Sequence, residues 1–172
     1  MKKQTSSPSF RALLATLPPQ ANNIYYRDQI GNISTSDMKI DKDAIEMEVL
    51  MRFPIFGGWQ SQFYLGYSVP SEVMLSTQTN NANVPAGSDR HVLKFDFFTV
   101  FEGVWVDEME IKVVLPEGCT DIDVDVPYEV QEERTRRFTY LDSEMNGGRP
   151  VIILRAKNVV EEHEKQASRK AV

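Results

Sequence analysis

Three aspartates two residues apart, Asp121, Asp123 and Asp125, have a type and spacing that could hold a divalent cation through oxygen ligands. A calcium loop also needs a glycine at its sharp turn and a bidentate glutamate at a fixed offset. Neither is present, and Ile122, Val124 and Val126 stand between the acids, so the run reads as the solvent face of a strand. His163-Glu164 opens a zinc-protease helix motif, but Ala167 occupies the place of the second histidine. The other histidine, His91, begins a strand, and two histidines in the whole chain do not make a metal site. Nothing puts a serine beside either one for a nucleophilic triad, and neither a P-loop nor a GxGxxG run occurs. Arg134, Arg136 and Arg137 are offset by Glu132 and Glu133, which reads as a solvated turn, with an anionic partner as the alternative. Cys119 is the only cysteine and has no neighbouring cation to activate it, so it reads as inert. One motif survives: Asn32-Ile33-Ser34 is an N-x-S sequon, an acceptor for an N-linked glycan if the chain passes through the secretory pathway. The reading therefore assigns no catalytic, cofactor-binding or metal-binding residue and expects no cofactor; Asn32 is the single site candidate.

The rest of the composition narrows the class. The chain has 172 residues, 41% hydrophobic and 26% charged, enough for an ordered domain with its own core. A net charge of −6 argues against a dedicated nucleic-acid binder, which needs a basic stripe to displace counterions. No run reaches the ~18 apolar residues of a membrane span. Met1 to Ser9 is basic and polar, and the short apolar stretch after it is interrupted by Arg11, so no signal peptide is assigned. Phe10, Leu13, Leu14 and Leu17 fall at i, i+3, i+4 and i+7, which predicts a short N-terminal helix ended by Pro18-Pro19.

The elements that must position these residues are strands. From Ala44 to Pro70 the chain reads as two strands joined at Gly57-Gly58. Ile45, Met47, Val49, Met51 and Phe53 alternate with Glu46, Glu48, Leu50 and Arg52, and Pro54 ends that arm. Phe63, Leu65 and Tyr67 share one face of the second arm. Two short strands precede it, at Ile24–Arg27 and Asn32–Ile40. The stretch Ser76–Asp89 is polar and turn-rich and reads as a long exposed loop. Alternation then resumes at Leu93, Phe95 and Phe97, at Ile111, Val113 and Leu115, and at Ile122, Val124 and Val126. Phe138 and Tyr140 mark the next strand, Asn146-Gly147-Gly148 a turn, and RPVIILRAK the last strand. The expected fold is all-β, an antiparallel two-sheet β-sandwich with a short N-terminal helix and a polar C-terminal tail, helical or frayed. Its boundaries are 1–19 for the N-terminal helical or linker segment, 20–160 for the sandwich and 161–172 for the tail. The core is predicted from Met47, Val49, Phe63, Leu65, Phe95, Phe97, Ile111, Val113, Val124 and Ile153.

Longer stretches carry a resemblance. NIYYRDQIGNISTSDMKI, AIEMEVLMRFPIFGGWQSQFYLGY, the segment from HVLKF through VDEMEIKVVLPEG, IDVDVPYEV and TYLDSEMNGGRPVIILRAKNVVEEH together resemble the ribophorin I family. That family supplies subunit 1 of the oligosaccharyltransferase complex of the endoplasmic reticulum. The similarity spans about Phe10 to His163, and the stretches occur in the family's order. It corresponds to the membrane-proximal luminal part of a membrane-anchored protein, so the chain is expected to be a fragment, an incomplete gene model or a short form. The resemblance implies a non-catalytic accessory role in a complex that transfers a preassembled oligosaccharide from dolichyl diphosphate to asparagine in N-x-S/T sequons. Substrate presentation or scaffolding would be its part, with the catalytic site in another subunit. It further implies a location on the luminal side of the endoplasmic reticulum membrane. Implied partners are the other subunits, nascent polypeptides and the translocon, and Asn32 would be an occupied sequon. The alternative is a free-standing β-sandwich module that binds polypeptide or glycan through the Ser76–Asp89 loop and the aromatics Trp59, Phe98 and Trp105. A hydrolase built on His163-Glu164 is a third reading, weakened by the missing second ligand.

Overall fold

The computed structural model describes residues 9–34, 36–78, 90–97, 99–126, 128–142 and 147–160. In chain order the elements are β1 (Ser9–Leu17), β2 (Asn22–Asp28), β3 (Asp37–Ile40), β4 (Ile45–Phe56), β5 (Phe63–Ser68), α1 (Ser71–Met74), β6 (Leu75–Gln78), β7 (Arg90–Leu93), β8 (Val106–Val114), β9 (Gln131–Arg137) and β10 (Arg149–Val159). Every ladder among them is antiparallel, and the fold is all-β. The described residues divide into two compact units, one within Met1–Phe95 with Val100–Glu102, the other within Asp96–Thr99 with Gly103–Val172.

In the first unit β1, β4 and β3 form a three-stranded sheet in the order β1-β4-β3, and β2 and β5 form a two-stranded one. Period-2 patterning explains β4: Ile45, Met47 and Val49 are buried while Glu46 and Glu48 face water. The β2–β5 ladder lays Tyr26, Ile24, Phe63, Leu65 and Tyr67 against Ala15, Leu17, Ile45, Met47 and Val49. Phe63 stands edge-on to both Tyr26 and Phe101, with ring centroids 5.6 Å apart in each case. The predicted N-terminal helix is not formed. Residues 9–17 are strand β1, paired Leu13↔Val49, Ala15↔Met47 and Leu17↔Ile45. Nine residues are too few for a helix to hold itself together in water, whereas pairing with β4 satisfies the backbone and buries Ala15 and Leu17.

Pro54 does not end β4. The β1–β4 register shifts between Phe10↔Ile55 and Ala12↔Leu50, so Met51 to Pro54 oppose Arg11 alone. The proline thus sits where no ladder bond is demanded of its nitrogen. The connection after β4 turns at Gly58, whose φ is +81°, and Phe56 and Trp59 meet edge-to-face across it at 5.4 Å. Of the predicted Asn32–Ile40 strand, only Asp37–Ile40 pairs with β4. β6 and β7 form a separate short ladder, so the start of the predicted Ser76–Asp89 loop, Ser76 to Gln78, is strand rather than loop; residues 79–89 lie outside the described residues, as does Phe98. Phe95, placed in the core by alternation, follows the end of β7 and is 39% exposed.

The second unit is built on β10, which lies between β8 and β9. β10 is paired along both edges, and Val151, Ile152, Ile153 and Leu154 are buried in succession. Ile152, Leu154 and Phe97 form the core with Met109, Ile111 and Val113. Ile122, Val124 and Val126 pack on it with Asp121, Asp123 and Asp125 outward, as the alternation requires, but the segment joins no ladder. It is tied down instead by the Arg134 guanidinium, which donates to the Ile122 carbonyl at 2.9 Å. The strand expected at Phe138 and Tyr140 is displaced: β9 is Gln131–Arg137, exposed throughout, and both aromatics stand exposed beyond its end. The arginine cluster read as a turn is therefore part of an edge strand, where charge rather than an apolar face is the rule. Residues 161–172, with His163-Glu164 and the predicted tail, lie outside the described residues.

Candidate glycosylation site and the turn that presents it

The sequon sits after a turn built by one aspartate. Asp28 closes β2, and its Oδ1 accepts from the backbone N–H of Ile30 at 2.9 Å and of Gly31 at 3.0 Å. This is the local trick of aspartate at a turn, a side chain standing in for a backbone acceptor. Gly31 takes φ +152°, and the chain returns so that the Asp28 N–H donates to the Gly31 carbonyl and the Ile33 N–H to the Tyr26 carbonyl. Arg52 of β4 clamps the turn from the other side. Its Nε donates to Asp28 Oδ2 at 2.6 Å and its Nη2 to Oδ1 at 3.0 Å, with further bonds to the Gly31 and Asn32 carbonyls at 3.2 and 3.4 Å. The bidentate guanidinium, helped by the two turn N–H groups, holds the Asp28 carboxyl well below the usual carboxylate range.

Asn32 forms an isolated antiparallel bridge with Arg27. Around it, burial alternates: Asn32 and Ser34 are exposed, and Ile33 between them packs against the first unit's core. Both sequon side chains that an oligosaccharide-transferring enzyme must reach thus face solvent, and the residue between them anchors the strand. The sequence carried a signal for half of this arrangement. Asp28 with Gly31 three residues on is a turn signature, but Arg52, 24 residues away, has none until the chain is folded.

The other candidates are not brought together. His91 lies on β7 with Nδ1 3.2 Å from Thr77 Oγ1, both exposed. Cys119 is half-buried in the second unit. Trp59 and Trp105 are exposed on different units. Arg134 is engaged with Glu132 at 2.5 Å, and Arg136 donates to the Gly147 carbonyl at 3.1 Å. Among the described residues no three His, Cys, Asp or Glu side chains come together as metal ligands, and no helix is long and apolar enough to cross a membrane.

The described residues define an all-β antiparallel chain that presents an N-x-S sequon from a clamped turn. A family model for ribophorin I matches residues 1–168, and the chain belongs to that family. It is 40% identical over 155 residues to dolichyl-diphosphooligosaccharide–protein glycosyltransferase subunit 1A of Arabidopsis thaliana, covering 90% of this chain and 23% of the relative. Subunit 1B of the same plant is 41% identical over 159 residues, 92% of this chain and 32% of the relative. Subunit 1 of Caenorhabditis elegans is 38% identical over 158 residues, 91% and 25% of the two chains. The chain thus spans between 23% and 32% of the length of these curated relatives.

Proposed function

We propose that this chain is the luminal, non-catalytic part of an accessory subunit of the oligosaccharyltransferase complex in the endoplasmic reticulum. The observation that carries the reading is the ribophorin I match over residues 1–168. Within that reading, residues 20–160, joined by strand β1 (Ser9–Leu17) that pairs with β4, are the luminal β-sandwich region and 161–172 a polar tail. The chain's role is to present nascent polypeptide or to scaffold its neighbours, the catalytic subunit and the translocon among them. The oligosaccharide transfer, with its dolichyl diphosphate donor, belongs to another subunit. Affinity isolation of the tagged protein from microsomes is expected to bring down the catalytic subunit. If a folded, tagged chain returns alone from membranes in which the complex is intact, the assignment is wrong.

Asn32 is, in this reading, a glycosylated residue. Its exposure beside Ser34, on a turn held by Asp28 and Arg52, supports that. Delivered to the endoplasmic reticulum lumen with a leader, the chain should gain mobility on peptide N-glycosidase treatment, and Asn32→Gln should already run at the treated position. Co-migration of the two before digestion would remove Asn32 as a site. A second reading, a self-sufficient module for polypeptide or glycan, is favoured by the exposure of Trp59 and Trp105. Titration of the purified chain with peptides and oligosaccharides separates the two, since only the module binds without other subunits.

A further inference from the structure

The register of β2 sets Asn32 at the edge of a surface suited to a sugar. Arg27 is bridged to Asn32 on one side and paired with Tyr64 of β5 on the other. Residues directly opposite in antiparallel strands project from the same face. Asn32, Arg27 and Tyr64 therefore make one row on the outer face, while Tyr26 and Leu65, the next pair, face the core. The Arg27 guanidinium carbon lies 5.2 Å from the Tyr64 ring centroid and 5.7 Å from that of Tyr25. Tyr25 lies across Gly66, its cross-strand partner: a Cβ at position 66 would meet Tyr25 ring atoms at 2.3–2.4 Å. After these contacts Tyr25 is still 50% and Tyr64 57% exposed, a rack of two rings and a cation with its outer side open.

We propose that the Tyr25–Arg27–Tyr64 surface is the docking site of the N-linked glycan carried by Asn32, holding its first two N-acetylglucosamine residues. This rests on the reading of Asn32 as a glycan-bearing residue. The apolar C–H face of the sugar packs on an aromatic ring, and its acetamide carbonyl and hydroxyl oxygens accept from the Arg27 guanidinium. Reach agrees with the placement. Strands lie about 4.8 Å apart, so Arg27 is one spacing from Asn32 and Tyr64 two, about 10 Å. The occupant is the chain's own glycan because the covalent tether supplies an effective concentration near the millimolar range, enough for contacts too weak to hold a free sugar. Glycine at 66 has a reason on this account: it leaves Tyr25 the room to lie flat against the strand.

The test is a comparison of glycosylated and Asn32→Gln forms of the whole chain, each in wild-type, Arg27→Ala and Tyr64→Ser backgrounds, after mass spectrometry of Asn32 occupancy. Both replacements are at exposed positions, and the Asn32→Gln series reports any loss of folding that has nothing to do with sugar. The glycan is expected to raise the thermal midpoint in the wild-type background and to raise it less in the other two. Release of the glycan from the native protein by peptide N-glycosidase should be roughly threefold to tenfold faster in the two variants, the range one lost ring contact implies. A nuclear Overhauser contact between the N-acetyl methyl and the Tyr64 ring should be present in the wild type. An occupied Asn32 with equal release rates in all backgrounds and no such contact overturns the docking and leaves the glycosylation reading standing. An unoccupied Asn32 overturns both.

Discussion

Phe95 and Phe97 share a side-chain type and an alternation, and their neighbourhoods separate them. Phe97 is 8% exposed and sits edge-on to Tyr128 at 5.2 Å within the second unit's core. Phe97→Ala is expected to cost ~3–5 kcal/mol in denaturant unfolding, and Phe95→Ala about 1 kcal/mol or less. Equal costs would contradict the placement of both. Tyr128, whose hydroxyl donates to the Phe97 carbonyl at 3.3 Å, is pushed up to about 12 by burial. A phenol whose folded value lies above the unfolded value of about 10 contributes stability that is fully present below pH 10 and is lost as the pH rises toward the folded value, above which the phenol is ionised in both states. Compared with Tyr128→Phe, the wild type should therefore lose relative stability between pH 10 and about 12, a trend read from unfolding midpoints and ultraviolet titration.

At the scale of elements, the tight connection after β4 separates two adjacent glycines. Gly58 has φ +81° with open space around a would-be Cβ, whereas no positive φ occurs at Gly57. Gly58→Val should lose ~1–3 kcal/mol through backbone strain alone, and Gly57→Ala should be nearly neutral. Thermal unfolding of the pair checks this: a silent Gly58→Val removes the turn argument. β1 and β9 show the complementary point. A helical spacing in β1 lost to pairing with β4, and a run of charges in β9 became a strand because β10 offered a free edge. Each partner lies outside the segment, β4 far along the chain and β10 across the connection after Arg137, so neither outcome was readable from the segment itself.

For the whole molecule, acid should act on each unit through a clamped carboxylate. Asp28 is held by Arg52 in the first, and Asp142 in the second by Arg149 at 2.7 Å and by the Thr139 N–H and hydroxyl at 2.8 Å. Both carboxyls are lowered, chiefly by the arginine hydrogen bonds. A lowered folded value contributes stability that is fully present above the ordinary aspartate value of about 3.9 and is lost as the pH falls toward the folded one. Asp28→Asn and Asp142→Asn should each flatten the acid limb of the stability profile below about pH 4 while lowering stability at pH 7. An unchanged acid limb in both would mean that these pairs are not what acid breaks.

Several properties were determined by the sequence alone. Alternation in Ile45–Val49 and Ile111–Val113, the glycines at 58, 147 and 148 and the buried run of β10 define an all-β chain because they are local consequences of the pleat and of φ. The sequon and the long family-like stretches were likewise legible as strings. Tertiary structure decided what depends on register between distant segments. The exposure of Phe95, the strand at β1, the ladder-free path of Ile122–Val126 and the Arg52 clamp on Asp28 all needed a partner 20 or more residues away, or the lack of one. The row that places Asn32, Arg27 and Tyr64 on one face is of the same kind. A slip of one residue in either pairing would turn it inward, and nothing in any one segment specifies that choice.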